Sequence, residues 1–216
     1  MTEALIFDLD GTLVSSSHHW IAAEDELIAL AGGERTPELS KQFSGRRLSD
    51  MSAIVHRAFG PDMPVAECAR FLEAAISRRF RESLMDEMPG AVALVKRLSG
   101  RVPLAVASGT PVALIEVALG KVGLESYFDL LVSSEDVELG KPAPDVFLET
   151  ARQLGAEPAN CVVFEDSLAG LQSALAARMQ VIIRPRGPHV DELRRLAPRI
   201  VESWDEVTPG DLFGAD

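Results

Sequence analysis

Two aspartates that stand one residue apart, Asp8 and Asp10, follow a short apolar run and precede Gly11. Residues two apart in an extended chain point to the same side, so both carboxylates can converge on one point. Close carboxylates repel, which favours either protonation of one of them or binding of a hard cation such as Mg²⁺. An Asp-rich turn that caps the next helix is the alternative interpretation. The pair alone leaves both interpretations open.

Three further polar segments follow apolar runs later in the chain. Ser108-Gly109-Thr110 precedes a helical pattern and offers hydroxyls and backbone N–H groups that suit a phosphate. Lys141, held between a glycine and a proline, can project a fixed positive charge, and Glu165-Asp166 adds two carboxylates. Helix caps and a solvated lysine would explain each segment separately. Because ligands bind beyond the carboxyl ends of strands in open α/β sheets, the segments together indicate a Mg²⁺-assisted phosphoryl-transfer site.

The apolar runs that must position these segments have the length of buried strands. Helical patterns separate them, which predicts an α/β fold with a parallel, doubly wound sheet. The predicted strands are Ala4–Phe7, Pro103–Ala107, Phe128–Val132, Cys161–Phe164 and Gln180–Ile183, and the predicted helices are Val112–Val122, Pro144–Leu154 and Leu168–Ala177.

The connection from the first to the second strand is much longer than the others. A βα crossover rarely needs more than about 30 residues, and this one holds roughly three times that number. We therefore predict an all-helical cap domain, residues 15–87, inserted into a core domain made of residues 1–14 and 88–216. Its predicted helices are His18–Leu30, Leu48–Phe59 and Val65–Leu84.

Composition restricts the classes of partner. The chain has 216 residues with 47% hydrophobic content, enough for a full core, and a formal net charge of −12. That charge argues against nucleic acid and anionic membranes as partners, but not against a small anionic substrate. No apolar run reaches the roughly 18 residues of a membrane span, so we expect a cytoplasmic protein. A monomer or a weak homodimer is also expected. Cys68 and Cys161 lack metal or redox spacing and are expected to be structural thiols.

The motifs DLDGTLV, SGT, GKPAPD and FEDSLAG resemble, in order and spacing, the four signature segments of the haloacid-dehalogenase-like hydrolase superfamily. The resemblance is to its phosphatase branch, in which an α-helical cap follows the first motif, and includes small sugar-phosphate phosphatases and β-phosphoglucomutase. It implies a Rossmann-like core with strand order 3-2-1-4-5.

The resemblance implies separate roles for the two opening acids. Asp8 would attack phosphorus and form an aspartyl-phosphate, and Asp10 would protonate the leaving alcohol and then activate water. Dehalogenases of the superfamily lack an acid at the second position, so dehalogenation is not expected. Phosphonate hydrolysis is not expected either, because the only lysine of the insert, Lys41, lies outside the motif which that branch uses.

The remaining motif residues acquire metal-binding and phosphate-binding roles by the same resemblance. Asp8 and Asp166 would bind Mg²⁺ directly, Asp10 through its backbone carbonyl and Glu165 through water or a neighbouring ligand. The expected phosphate-binding residues are Ser108, Gly109 and Lys141.

The cap loop Gln42–Leu48 resembles the substrate loop of small sugar-phosphate phosphatases. Gly45 would let this loop approach the substrate, and Arg46 or Arg47 would grip a second anionic group. A solvated pair of arginines is the alternative. At the start of the first cap helix, one residue among His18, His19 and Trp20 is expected to face the site, with a solvated histidine as the alternative. The expected cap specificity residues are Gly45, Arg46, Arg47 and His19.

The predicted function is a Mg²⁺-dependent phosphatase for a small phosphorylated metabolite, either a sugar phosphate or a phosphorylated sugar acid. A phosphomutase of the β-phosphoglucomutase type and a catalytically silent phospho-ligand-binding protein are the alternatives. An acyl hydrolase that uses Ser108 is disfavoured, because the chain lacks G-x-S-x-G and a well-placed histidine. Ser15-Ser16-Ser17 stands where sugar-phosphate relatives carry an acid, Ser and Glu, which leaves the substrate open.

Overall fold

A computed structural model of the chain describes residues 1–214 and contains one parallel sheet. Its strands are β1 (Ala4–Phe7), β2 (Leu104–Ser108), β3 (Leu130–Ser133), β4 (Cys161–Glu165) and β5 (Gln180–Ile183). They lie in the order β3-β2-β1-β4-β5, which confirms the predicted doubly wound sheet and its strand order.

The central strand β1 is fully buried and pairs with β2 on one side and β4 on the other. Phe7 lies opposite Val106 and Phe164, and the two phenylalanine rings stack with centroids 4.3 Å apart. Leu5 and Phe7 belong to one hydrophobic cluster while Ala4 and Ile6 belong to another, so both faces of the sheet are covered. Because all strands are parallel, the segments after β1, β2 and β4 meet at one edge.

Residues 15–87 contain four helices and, within the described part of the chain, no strand. They are α1 (Ser17–Leu30), α2 (Pro37–Phe43), α3 (Leu48–Phe59) and α4 (Val65–Glu82). Buried residues of α3 and α4 recur every three or four positions, and both α1 and α3 pack against α4. The division into domains stays a proposal, and we call residues 15–87 the cap.

Helix α2 is absent from the sequence prediction, although the chain carries a start signal for it. The hydroxyl of Thr36 accepts a hydrogen bond from the Leu39 N–H at 3.1 Å, and Pro37 occupies the first helical position. Proline is favoured there because its fixed φ suits a helix and its missing N–H has no intrahelical partner. With seven residues, α2 is too short to show a clear helical periodicity in the sequence.

The helices of the remaining chain flank the sheet. They are α5 (Ala91–Leu98), α6 (Val112–Lys121), α7 (Asp145–Leu154), α8 (Leu168–Ala176), α9 (Val190–Leu196) and α10 (Pro209–Phe213). The predicted α6, α7 and α8 are confirmed, whereas α5, α9 and α10 were not anticipated. Within residues 1–214, none of the helices has the length and apolar character needed to cross a membrane.

Two chain segments connect the cap to the core side by side. The Ser15 N–H donates to the Asp86 carbonyl at 2.8 Å, and the Met88 N–H donates to the Leu13 carbonyl at 2.8 Å. Val14 and Glu87 form an isolated antiparallel bridge between these bonds. The entry and exit of the cap are therefore tied together directly beside the end of β1.

Candidate active site

The chain turns sharply after β1 and presents Asp8 at the edge of the sheet. Asp8 is buried, and its N–H donates to the Phe164 carbonyl of β4 at 2.9 Å. Gly11 has φ +87°, and a Cβ added there would lie 2.0 Å from Oδ2 of Asp166. Only glycine permits both the backbone conformation and this close approach. The loops after β1 and β4 are thereby brought into direct contact.

Lys141 lies beneath this contact and is 1% exposed. Its Nζ donates to Oδ1 of Asp8 at 2.7 Å, to Oε1 of Glu165 at 2.8 Å and to the Ala107 carbonyl at 3.0 Å. An ammonium group has three hydrogens, so these partners use them all. Burial lowers the pKa of Lys141, but the charges of Asp8 and Glu165 outweigh it and raise that pKa above its ordinary value. The lysine therefore stays charged.

Glu165 links this lysine to the loop that comes after β4. Its Oε2 accepts hydrogen bonds from the Asp166 N–H at 2.7 Å, the Ser167 N–H at 2.8 Å and the Ser167 hydroxyl at 3.0 Å. A Cβ at Gly170 would lie 1.7 Å from Oε1 of Glu165, so the first turn of α8 leaves room for the carboxylate only because it has glycine there. Glu165 thus orients the Asp166 loop.

Three carboxylates meet at this point. Asp8, Glu165 and Asp166 each offer an oxygen atom, and these atoms lie within 4.8 Å of one another. Burial raises the pKa of both Asp8 and Asp166, and the neighbouring carboxylates raise these pKa values further while Lys141 opposes the shift. One lysine therefore does not balance the negative charge. A divalent cation that prefers oxygen ligands fits this donor set.

Asp10 points toward the cap and the end of β2. Its Oδ1 accepts hydrogen bonds from the indole N–H of Trp20 at 2.9 Å and from the hydroxyl of Ser16. Its Oδ2 accepts from the Thr110 hydroxyl at 2.5 Å and from the Ser108 hydroxyl at 3.4 Å. Trp20 belongs to α1, so a cap residue directly orients one of the two opening aspartates.

His19 lies outside the site, in contrast to the expectation from the sequence. It is buried against α4, with its Nε2 3.3 Å from the Leu84 carbonyl and its ring centroid 6.1 Å from that of Phe80. Burial lowers its pKa. Its neighbour Trp20 occupies the position that faces the core, because adjacent helical residues point about 100° apart.

A cavity of about 330 Å³ lies between the sheet edge and the cap. Lys141 and Glu165 are not among the residues that line it, but they bond to Asp8 and Asp166, which do. Its core wall includes Asp8, Asp10, Ser108, Gly109 and Asp166. Its cap wall includes Trp20, Glu24, Arg35, Phe43, Gly45 and Arg46. The structure therefore brings all seven predicted core residues to one place.

The cap loop contacts the core through its glycine. Gly45 has φ +73°, and a Cβ there would lie 2.4 Å from the Ser167 hydroxyl oxygen. On the core side, a Cβ at Gly109 would lie 2.8 Å from the Arg46 carbonyl oxygen. A side chain at either position would separate the two surfaces. The cap loop thus approaches the core closely, and the expected approach of Gly45 to substrate stays a prediction.

The two neighbouring arginines of this loop have different environments. Arg46 lines the cavity, and its Nη1 donates to the Lys141 carbonyl at 3.4 Å. Arg47 points away from the cavity and binds the loop after β3, with donated bonds to the Ser134 carbonyl at 2.8 Å and the Val137 carbonyl at 2.9 Å. The expectation that Arg47 faces substrate does not match this position, since its guanidinium joins the cap to the core.

Some residues that line the cavity were missed by the sequence reasoning. Arg186, shortly after β5, lines the cavity, and its backbone N–H donates to the Asp166 carbonyl at 3.1 Å. The other segments were identified by inspecting the residues just beyond the carboxyl end of each strand. The same rule would have found Arg186. Glu24 and Arg35 line the cap wall. Their proximity depends on tertiary packing and has no signal in the sequence.

Comparison with known proteins finds similar sequences among phosphatases. The family described as haloacid dehalogenase-like hydrolase matches residues 2–178. Hexitol phosphatase B of Escherichia coli (strain K12) is 36% identical over 98% of this chain and 96% of its own length. Fructose-1-phosphate phosphatase YqaB of the same strain is 33% identical over 82% of this chain and 94% of its own length.

Solved structures show the same architecture. CbbY from Rhodobacter sphaeroides, solved in complex with phosphate, has a TM-score of 0.84 at 27% identity, and the match covers 98% of this chain and 99% of CbbY. β-Phosphoglucomutase from Clostridium difficile has a TM-score of 0.85 at 22% identity, and the match covers 97% of this chain and 94% of the mutase. The second likeness concerns the fold alone.

Proposed function

The chain belongs to the haloacid dehalogenase-like hydrolases, and we propose that it hydrolyses a small phosphorylated metabolite through an aspartyl-phosphate, with Mg²⁺ as cofactor. It is a phosphoric monoester hydrolase, as its relatives are. The proposed substrate class is a sugar phosphate or a phosphorylated sugar acid. The cavity above Asp8 and Asp10 is the observation that carries this proposal.

The proposed first step is a transfer of the phosphoryl group to Asp8. One carboxylate oxygen of Asp8 forms a bond to phosphorus as the bond from phosphorus to the substrate oxygen breaks. Asp10 gives its proton to that leaving oxygen, so an alcohol departs. Lys141 holds Oδ1 of Asp8 at 2.7 Å, which fixes the direction in which the carboxylate faces the cavity.

The proposed second step returns the enzyme to its starting state. Asp10, now ionised, takes a proton from a water molecule whose oxygen attacks phosphorus. The bond from phosphorus to Asp8 breaks, which releases inorganic phosphate and regenerates both carboxyl groups in their initial protonation states. The donors Trp20 and Thr110 fix the orientation of Asp10 at the cavity wall, which supports this double role.

Charge stabilisation is proposed to come from residues at or after the ends of four strands, β1 to β4. The Ser108 hydroxyl and the Gly109 N–H are proposed to bind phosphoryl oxygens, and Lys141 to balance the negative charge that spreads over them in the transition state. Asp8, Asp166 and the Asp10 carbonyl would hold Mg²⁺, with Glu165 supporting them indirectly. When bound, the ion supplies further neutralisation of the phosphoryl oxygens.

The test is release of inorganic phosphate from a panel of phosphosugars, 6-phosphogluconate, phosphoglycolate and nucleotides, with Mg²⁺ and with a chelator. We expect release that depends on Mg²⁺ and favours the sugar compounds. Failure of the whole panel in the presence of metal would refute the proposal. Isomer formation without net release would instead identify a phosphomutase.

A further inference from the structure

Helix α1 carries an acidic residue one turn beyond the tryptophan that binds Asp10. Trp20 and Glu24 both line the cavity and are four positions apart, on one face of the helix. One turn advances about 5–6 Å along a helix axis. Because α1 begins at Ser17, beside the Ser16 and Trp20 bonds to Asp10, Glu24 lies further from the reacting centre than Trp20 does. It therefore lines a part of the cavity away from the reacting centre.

Glu24 is held in place by Arg35, which is itself anchored within the cap. Oε2 of Glu24 accepts a hydrogen bond from Nη2 of Arg35 at 2.8 Å. The guanidinium of Arg35 also donates to Oδ1 of Asp25 at 2.6 Å, to the Ile21 carbonyl at 3.1 Å and to the Ser40 hydroxyl at 3.3 Å. The orientation of the Glu24 carboxylate is therefore determined before a ligand enters.

The second oxygen of this carboxylate lacks a donor. Within residues 1–214 no group donates a hydrogen bond to Oε1 of Glu24, although the side chain is only 8% exposed and lines the cavity. Burial raises the pKa of Glu24, and the bond from Arg35 opposes that shift. Oε1 is not among the fully buried, unpaired side-chain oxygens of the described residues, so a donor from outside the protein can reach it. The cavity side is where such a donor can come from.

The charges around Glu24 determine which kind of hydrogen-bond donor can approach it. Glu24 and Asp25 bring two negative charges against the single positive charge of Arg35. A phosphate or carboxylate at this position would be repelled, whereas hydroxyl groups can donate to Glu24. Two other cationic residues line the cavity: the guanidinium of Arg46 donates to the Lys141 carbonyl at 3.4 Å, and that of Arg186 donates to the Met88 sulfur at 3.5 Å. Arg46 thus places positive charge beside Lys141, whereas Glu24 places negative charge along α1.

We propose that Glu24, held by Arg35, is a specificity-determining residue that accepts hydrogen bonds from hydroxyl groups on the uncharged tail of a monophosphorylated polyol or sugar. It disfavours a substrate whose tail carries a second anionic group. This inference rests on the proposed phosphatase function of the same cavity and narrows its substrate class.

Two compounds with the same carbon chain provide the test. Sorbitol 6-phosphate ends in a hydroxymethyl group where 6-phosphogluconate has a carboxylate, and 4-nitrophenyl phosphate has no hydroxyl tail. Glu24→Gln keeps the size of the side chain and removes its charge. We expect this variant to lower kcat/KM for sorbitol 6-phosphate about tenfold relative to 4-nitrophenyl phosphate, the effect of losing one charge-assisted hydrogen bond. The preference for sorbitol 6-phosphate over 6-phosphogluconate should shrink as well.

Glu26→Gln is the matched control. Glu26 lies on the same helix but pairs with Arg78 and Arg79 outside the cavity, so its substitution should not change the substrate ratios. Thermal melting of both variants would show whether either change disturbs the cap. Equal loss toward all three compounds in Glu24→Gln, or unchanged ratios, would overturn the inference.

A binding measurement separates this inference from the proposed reaction. Calorimetry with the Asp8→Asn protein should show tighter binding of sorbitol 6-phosphate than of 6-phosphogluconate, and the added Glu24→Gln substitution should reduce that difference. If the unsubstituted protein releases no phosphate but the binding preference is present, the phosphatase proposal is refuted and the role of Glu24 stands. Phosphate release without any such preference would refute the role of Glu24 alone.

Discussion

The ammonium group of Lys141 lies 2.7 Å from the carboxylate of Asp8, and both side chains are almost entirely buried. The same ammonium lies 2.8 Å from Glu165, so one cation joins the ends of β1 and β4. A buried charge is tolerated when it is paired and hydrogen-bonded, and it becomes strongly destabilising when its partner is removed. Lys141 therefore serves the stability of the sheet edge as well as the proposed chemistry.

Replacement of Lys141 by methionine should impair both properties. The side chain keeps its approximate volume, but Asp8 and Glu165 lose their shared cation, so we expect a stability loss of about 3–5 kcal/mol. Phosphate release should fall at least a hundredfold. Thermal melting and steady-state kinetics measure the two effects. Lys96→Met, at an exposed position of α5, is the control, and an equal loss of stability in both variants would contradict the prediction.

Asp8→Asn should abolish turnover and leave the fold intact. The amide of asparagine does not form the proposed aspartyl-phosphate, but its oxygen can still accept the hydrogen bond from Lys141, and Glu165 keeps that ammonium paired. The measurement is phosphate release together with thermal melting. Asp62→Asn, at an exposed position, should retain full activity. Substantial phosphate release by the Asp8 variant would exclude this residue as the nucleophile.

Trp20→Phe should reduce kcat about tenfold by removing the indole N–H that donates to Asp10, since a hydrogen bond to a charged group contributes about 1.5–3 kcal/mol. The aromatic ring still packs near Phe80, whose centroid lies 6.2 Å from that of Trp20. Trp204→Phe is a chemically matched control, because its indole N–H donates to the Thr12 carbonyl at 2.9 Å. Both variants should lose some stability, and an equal fall in kcat would argue against an orienting role for Trp20.

Arg46→Ala and Arg47→Ala should have different kinetic effects, although the residues are adjacent. Arg46 lines the cavity, so its loss should raise KM for a phosphosugar more than for 4-nitrophenyl phosphate. Arg47 binds the carbonyls of Ser134 and Val137, so its loss should loosen the contact between cap and core and weaken turnover of every substrate. Kinetics with both substrates would distinguish these patterns. Identical substrate ratios in the two variants would remove Arg46 from substrate recognition.

The strands and the polar segments beyond their carboxyl ends were predictable for a simple physical reason. Strands such as Ala4–Phe7 and Cys161–Glu165 are buried on both faces, and a short apolar run records that burial directly. Short helices such as α2 contain too few residues for a periodic pattern. Their ends depend on local signals, of which the Thr36-Pro37 pair is an example.

The cap residues around the cavity were less predictable. His19 and Trp20 are adjacent in the sequence, and only the packing of α1 against α4 decides which of them faces Asp10. Arg46 and Arg47 present the same problem in a loop. The sequence predicted that either arginine could bind substrate. In the structure Arg46 lines the cavity, whereas Arg47 joins the cap to the core.

The sequence by itself determined that Asp8, Ser108, Lys141 and Asp166 would meet, because parallel strands bring their carboxyl ends to one edge of a sheet. The tertiary structure alone decided which residues stand opposite them. The rotation of α1 and the path of the chain to Arg35 depend on many weak packing contacts between helices that are distant in sequence. Those contacts place Trp20 on Asp10 and the Glu24–Arg35 pair on the cavity wall.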